Sequence, residues 1–373
     1  MGSSSLVRFE PGPEAGEPTT PIMAVRSPPR LRLLCPTGRY HAPVRAAFFT
    51  GYRAFEVRDV ETPELRDGEA RVRVHYNGIC GSDVSLWKVG VMAGDDRVPG
   101  HELSGVVEED PTGTHEPGTR VTYFPSRGCG ECLWCTEGHP RYCLNPPNFW
   151  GGYAETVNVL PSLLLPVPDE VDDKAASLSE PLGVSLRAIE EAGVAEGDLC
   201  YVSGLGSIGL LAVAGLVDRG ARVIGADVRE DRRGLGEAFG CEATFDPIAE
   251  DPFWKLLAVD RHGPRFAFEC SGAAAAVQLA FNTCGHMGTV ALLGLPFEPA
   301  MFIPAVMAVK EQRALSITGP NRASMEAAVD LLRRRPRTAD VVTGVRPLEE
   351  VQQAFEEQAE GTGGVKVLID PRT

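Results

Sequence analysis

The sequence predicts an α/β protein with a β-rich first part and a second part built on a doubly wound parallel sheet. Three observations predict it. After about residue 183 short apolar strands alternate with helices, the pattern of a parallel sheet covered on both faces. Before about residue 165 the chain instead shows alternating strand segments, Gly-rich turns and a cluster of cysteines. Finally, 373 residues exceed one ordinary core and predict two or three domains.

Each element follows in order. Residues 1–42 carry seven prolines in the first 36 positions and no sustained periodicity, so they read as a disordered leader or an extension. Patterning begins with Val44-Arg-Ala-Ala-Phe-Phe and continues in Ala70-Arg-Val-Arg-Val-His-Tyr, which alternates as a half-buried strand does. A strand at 199–203, a helix at 208–219, a strand at 221–226 and a helix at 230–239 then follow. Strands at 266–269 and 289–293 extend that sheet. Helices at 324–335 and 348–358 and a strand at 365–370 close the chain. The changes of texture predict a division into 43–182, 183–318 and 319–373.

Acidic residues outnumber basic ones by 51 to 36, giving a formal charge of −15. Such a field repels nucleic acid and anionic lipid, so neither is an expected partner. The proline-free apolar run 208–217 is too short to span a membrane, and no signal-peptide pattern opens the chain. A cytoplasmic location is expected. Ten cysteines in a reducing compartment point to metal or thiolate chemistry rather than to disulfides. Of these, Cys35, Cys200, Cys241, Cys270 and Cys284 are scattered and read as small buried hydrophobes.

Gly204, Gly206 and Gly209 form a G-x-G-x-x-G pattern between a strand and a helix that opens with Ser207 and Ile208. The first glycine permits the turn, the second a close approach to a pyrophosphate, and the third tight packing of helix on sheet. The helix N-terminus adds free N–H groups and a positive dipole end. Asp227, 18 residues after Gly209, stands where a carboxylate accepts from ribose hydroxyls and repels a 2′-phosphate. NAD is therefore expected over NADP. Arg229, Arg232 and Arg233 read as the solvated face of the following helix.

Cys129, Cys132, Cys135 and Cys143 form two consecutive C-x-x-C steps and a fourth thiol eight positions on. Four thiolates suit one tetrahedral zinc with no open position, hence a structural site. An Fe–S cluster is the runner-up, and metal-free buried thiols the bland alternative. A nucleic-acid-binding zinc lobe would need a basic patch, whereas this one carries Glu131 and Glu137 against Arg127 and Arg141. A second constellation is dispersed: Cys80, Ser82 and Asp83 in Gly78-Ile-Cys-Gly-Ser-Asp, His101 and Glu102 in Pro99-Gly-His-Glu, and Glu180 in Ser179-Glu-Pro-Leu. Thiolate, imidazole and carboxylate are the mixed set of a catalytic zinc with an open position.

These motifs, in this order over about residues 43–373, resemble the zinc-containing medium-chain dehydrogenase/reductase family of alcohol and polyol dehydrogenases. The resemblance implies a GroES-like catalytic, zinc-binding domain (43–182, with a return at 319–373) joined to a Rossmann dinucleotide-binding domain (183–318), two Zn²⁺ per chain, and NAD. It implies Cys80 and His101 as ligands of the catalytic zinc, with Glu102 or Glu180 supplying a carboxylate. Ser82 resembles the hydroxyl that carries the proton away, Asp83 would orient the His101 ring, and backbone groups around Leu293 would meet the nicotinamide amide. Glu180, where several alcohol dehydrogenases have cysteine, resembles the sorbitol and threonine dehydrogenase branch. The implied reaction interconverts a secondary alcohol (polyol, cyclitol or amino alcohol) and its ketone by hydride transfer in a homodimer or homotetramer. Oxidation of simple primary alcohols, or a non-catalytic zinc-binding relative, is the alternative. The family's Gly-Asp-Arg-Val turn stands here as Gly118-Thr-Arg-Val. Phe124, Trp150 and Tyr153 are candidates for the substrate pocket wall.

Overall fold

Alternation near the start of the globular sequence becomes β structure. Strands β1 (Val44–Gly51) and β2 (Ala54–Val60) pair antiparallel as a hairpin. Then come β3 (Ala70–Gly78), β4 (Glu102–Glu109), β5 (Arg120–Tyr123), β6 (Thr156–Val159) and β7 (Leu164–Pro166). Val72 and Val74 of β3 point into the core while Arg73 between them is exposed, as period-two alternation requires. This computed structural model describes residues 42–90, 97–146, 151–296 and 298–373. The leader through residue 41, with Cys35, and the pocket candidate Trp150 lie outside the described residues.

The middle of the chain supplies β8 (Leu199–Ser203), β9 (Arg222–Ala226), β10 (Ala243–Phe245), β11 (Phe266–Glu269), β12 (Thr289–Leu292) and β13 (Arg313–Ser316). They form an all-parallel six-stranded sheet in the order β10-β9-β8-β11-β12-β13. All five residues of β8 are buried, because helices cover both faces of a parallel sheet. The helix Ser207–Asp218 after β8 is apolar almost all round and packs against the sheet and the helix Ser179–Ala192. Leu210, Leu211, Val213 and Leu216 share that core with Leu182 and Ile189. Each buried side chain of this size contributes about 1.5–3 kcal/mol.

The chain returns in β14 (Val342–Pro347) and β15 (Lys366–Asp370). They join the first sheet, whose order is β14-β15-β3-β4-β5-β7 with β6 pairing β3. β15 pairs with the end of β3, Leu368 opposite Gly78, and Gly78 pairs in turn with Glu102 at the start of β4. Three sequence-distant strands therefore meet at one end of the sheet. No helix among the described residues is long and apolar enough to cross a membrane.

Candidate active site and metal centres

The chain leaves β3 at Gly78 and, after Ile79 and Cys80, enters a helix, Gly81–Val89. Cys80 is that helix's N-cap, in extended conformation (φ −89°, ψ 143°). Since β4 begins beside the end of β3, His101 and Glu102 are delivered to the same place. The ligand atoms of Cys80, His101 and Glu102 all lie within 4.8 Å of one another. Asp83, in the first helical turn, sets an oxygen 3.5 Å from His101 Nδ1. The Asp83 Oδ2 and the Gly78 carbonyl each lie 3.2 Å from the Tyr153 hydroxyl. Ser82 Oγ donates to Cys80 Sγ at 3.1 Å.

Electrostatics fit this group to a cation. Burial opposes charge on His101, yet Asp83 and the Cys80 thiolate outweigh it and raise the imidazole's pKa well above its ordinary value. A divalent ion meets the same negative field, and a thiolate, an imidazole and a carboxylate are zinc's mixed donor set. Glu180, buried in the first turn of the helix Ser179–Ala192, is outside the 4.8 Å group. Burial pushes its carboxyl up to about 7, against the pull of His101 and with the push of Glu102.

Sequence reading missed one partner. Lys366, the first residue of β15, is ion-paired with Glu102, and both are almost wholly buried. Its ammonium also donates to the Ile79 carbonyl at 2.9 Å. Gly78 makes room for the pair: a Cβ there would fall 2.0 Å from Glu102 Oε2 and 3.0 Å from Lys366 Cε. The signal was a lone lysine in the otherwise apolar Lys366-Val-Leu-Ile, which a central strand can bury only with a partner. Tyr153 departs from its expectation. It is fully buried and packs on Phe355, so it braces Asp83 rather than lining a pocket. Phe124 packs, half-buried, against the core of the first sheet.

The four-cysteine lobe fits its own ion. Sulfur separations are 3.5 Å for Cys132–Cys135, 3.9 Å for Cys132–Cys143 and 4.0 Å for Cys129–Cys135. A tetrahedron with Zn–S bonds of about 2.3 Å has edges of about 3.8 Å. Backbone N–H groups of Cys135 and Leu144 bring the Cys132 thiol down to about 6, favouring the thiolate. Metal analysis of the purified protein is expected to find two zinc ions per chain, and one after Cys132→Ala. One or none in the unmodified protein would overturn this.

Around the parallel sheet, Gly204 (φ +89°) turns the chain out of β8, and a Cβ on Gly209 would fall 1.8 Å from the Gly204 carbonyl. Gly206, the N-cap of the helix that begins at Ser207 and Ile208, has open space above it, with Arg232 Nη1 3.9 Å from a Cβ placed there. Asp227, just past β9, accepts the N–H of Leu205 at 2.8 Å and of Arg229 at 2.9 Å, which fixes its carboxylate beside the turn. The three arginines are less free than expected. Arg229 pairs with Asp231, Arg233 donates to the Asp227 carbonyl, and Arg232 reaches back to the Gly364 carbonyl. Past β12, the N–H groups of Leu293 and Gly294 are taken by the Glu269 carbonyl, so Leu293 can offer an amide only its own carbonyl. Cys200, Cys241 and Cys284 are buried as expected, while Cys270 is half-buried.

Comparison with known proteins agrees with this arrangement. Residues 66–169 match the alcohol dehydrogenase GroES-like domain and residues 207–334 the zinc-binding dehydrogenase domain. "Probable D-xylulose reductase A" of Aspergillus terreus is 29% identical over 86% of this chain and 96% of its own length. Sorbitol dehydrogenase of Halalkalibacterium halodurans is 28% identical over 88% and 98%. The solved alcohol dehydrogenase of Thermus sp. ATN1 superimposes with a TM-score of 0.78 at 26% identity, covering 87% of this chain and 99% of that one. A GroES-like domain followed by a Rossmann domain, each recognised in its own right, makes this chain a member of the zinc-containing medium-chain dehydrogenase family.

Proposed function

We propose that the protein is a zinc-dependent, NAD-linked dehydrogenase that interconverts a secondary alcohol bearing a neighbouring hydroxyl or amine with its ketone. The observation that carries this reading is a second buried carboxyl, Glu180, which senses the charges of His101 and Glu102. A site with that much polar surface accepts a second hydroxyl at little loss, whereas an apolar pocket would leave it unpaired. The relatives named for xylulose and sorbitol support the same class. Bound zinc would supply Lewis acidity that favours loss of the hydroxyl proton. Asp83 holds the His101 ring, and Tyr153 holds Asp83. Ser82 would relay the substrate's hydroxyl proton, giving up its own hydroxyl proton towards solvent as it takes the substrate's, and a bound nicotinamide would accept the hydride. NAD reduction screened over polyols, cyclitols and amino alcohols tests the reading. Ethanol or benzyl alcohol outperforming all of them in kcat/KM would overturn it.

Asp227 sets the preference for NAD in this reading. Asp227→Ser removes the repulsion of a 2′-phosphate, and the NAD-over-NADP ratio of kcat/KM is expected to fall ~10–100-fold. An unmodified enzyme that uses NADP equally well would contradict it. We place the catalytic domain at 43–182 and 319–373 and the cofactor domain at 183–318. The reading includes a cytoplasmic location and a homodimer or homotetramer. β13 supports assembly: it ends its sheet with most of its residues exposed, near exposed Met301, Ile303 and Val309. Sedimentation at the mass of one chain would refute it.

A further inference from the structure

Glu269 ends β11, the strand between β8 and β12 in the parallel sheet, with Ser203 and Leu292 as its register partners. It is fully buried, and among the described residues no cation pairs with it. A carboxylate so placed is costly unless donors surround it. The next turn supplies them. Ser271 N–H at 2.8 Å, the Ser271 hydroxyl and Gly272 N–H at 3.2 Å all donate to Glu269 Oε1. The Ser271 hydroxyl in turn accepts the N–H of Ala273 at 3.1 Å, where the helix Ala274–Thr283 begins. The Glu269 carbonyl accepts the N–H groups of Leu293 and Gly294, both at 2.8 Å. One residue thus holds the loop after β11 with its side chain and the loop after β12 with its backbone. Glycines let these loops close on each other and on the dinucleotide turn. A Cβ on Gly294 would fall 2.3 Å from Glu269 Oε2 and from Gly272 N, and one on Gly204 would fall 2.7 Å from Ser271 Cα.

We propose that Glu269 is a positioning residue for the cofactor, fixing the loops after β11 and β12 as the seat of its nicotinamide half. The inference rests on the NAD reading and adds a residue to it. Location assigns the half. A dinucleotide lies across the carboxyl ends of a parallel sheet at the point where the strand order reverses, and here that point falls between β8 and β11. The Gly204–Gly209 turn and Asp227 follow β8 and β9, which gives that side the pyrophosphate and the adenosine. β11 and β12 are left for the other half. Chemistry assigns the acid. Hydrogen bonds to a charged acceptor are about twice as strong as neutral ones, so one carboxylate can gather three donors and hold the turn. An amide of the same shape cannot. Its NH₂ would stand 3.3 Å from the Gly272 nitrogen, donor against donor.

NADH and AMP, which shares only the adenosine side, give the test. Calorimetry on the unmodified, zinc-loaded protein is expected to show NADH binding the tighter. In Glu269→Gln the Kd of NADH should rise ~10–100-fold, as loss of charge-assisted hydrogen bonds does, while the Kd of AMP stays unchanged. An acid that merely supported the sheet would weaken both alike when replaced. In turnover, KM for NAD should rise with the Kd of NADH, and KM for the alcohol at saturating NAD should not. Ser271→Ala removes one of the three donors and leaves the carboxylate in place. It should raise the Kd of NADH by a smaller ~3–10-fold, and it decides the matter alone where Glu269→Gln fails to fold. Parent-like NADH affinity in the variants, or a parallel loss of NADH and AMP, would overturn the proposal while leaving the NAD reading intact. An unmodified protein that binds NADH no better than AMP would sink that reading and this inference with it.

Discussion

Lys366→Met is expected to destabilise the protein by about 3–5 kcal/mol, the cost of leaving one partner of a buried ion pair uncompensated. Glu102 and Lys366 are each at most 2% exposed, so water cannot take over the charge. Methionine matches the lysine stem and leaves no large cavity, which isolates the electrostatic loss from packing. The Ile79 carbonyl loses its side-chain donor as well. Chemical denaturation checks the size of the effect. It should be larger after chelation than with zinc bound, because a divalent ion supplies the positive charge that the lysine no longer does. Adding Glu102→Gln to Lys366→Met should recover most of the loss, since a neutral amide needs only hydrogen bonds. A single variant as stable as the parent, or a double variant no better than the single, would show that the pair is not what holds these strands.

That pair also marks where sequence reading stopped. The strand–turn–helix at 199–218 was legible because local signals agreed: an apolar run, glycines at fixed offsets and a carboxylate after the next strand. The structure places the strand at Leu199–Ser203 and the helix at Ser207–Asp218. The first sheet was harder. Its hydrogen bonds join β3 to β15 across most of the chain, and no local pattern encodes a contact 287 positions apart. The helix Gly81–Val89 went unread since Gly81-Ser-Asp reads as a turn and only Val84 and Trp87 mark its inner face. The hairpin strand β2 and the helices Pro252–Val259 and Ala274–Thr283 were likewise unread. Tyr153 misled because an aromatic after Gly151-Gly152 looks equally suited to a cleft and to a core. Only its neighbours, Phe55 and Phe355 packed edge-on, decide for the core.

Ser82→Ala is expected to lower kcat by ~10²–10⁴-fold, the range for losing a positioned proton-transfer group. Ser82 is one residue inside the helix that Cys80 caps, so its hydroxyl is carried to the site by the same backbone turn. Its bond to Cys80 Sγ at 3.1 Å shows that the oxygen is within reach of any hydroxyl bound beside that sulfur. A merely structural serine would bond its own turn, and alanine in its place would then leave turnover nearly intact. The readouts separate these cases. Zinc content should stay at two per chain, because Ser82 is outside the ligand group. KM should move little. With the proton path impaired, the rate should rise with pH as hydroxide replaces the missing acceptor, and the solvent isotope effect should change. Ser82→Thr, which keeps a hydroxyl, should recover much of the rate. Near-full turnover in Ser82→Ala with hydride transfer rate-limiting would remove Ser82 from the chemistry and leave the proton to solvent.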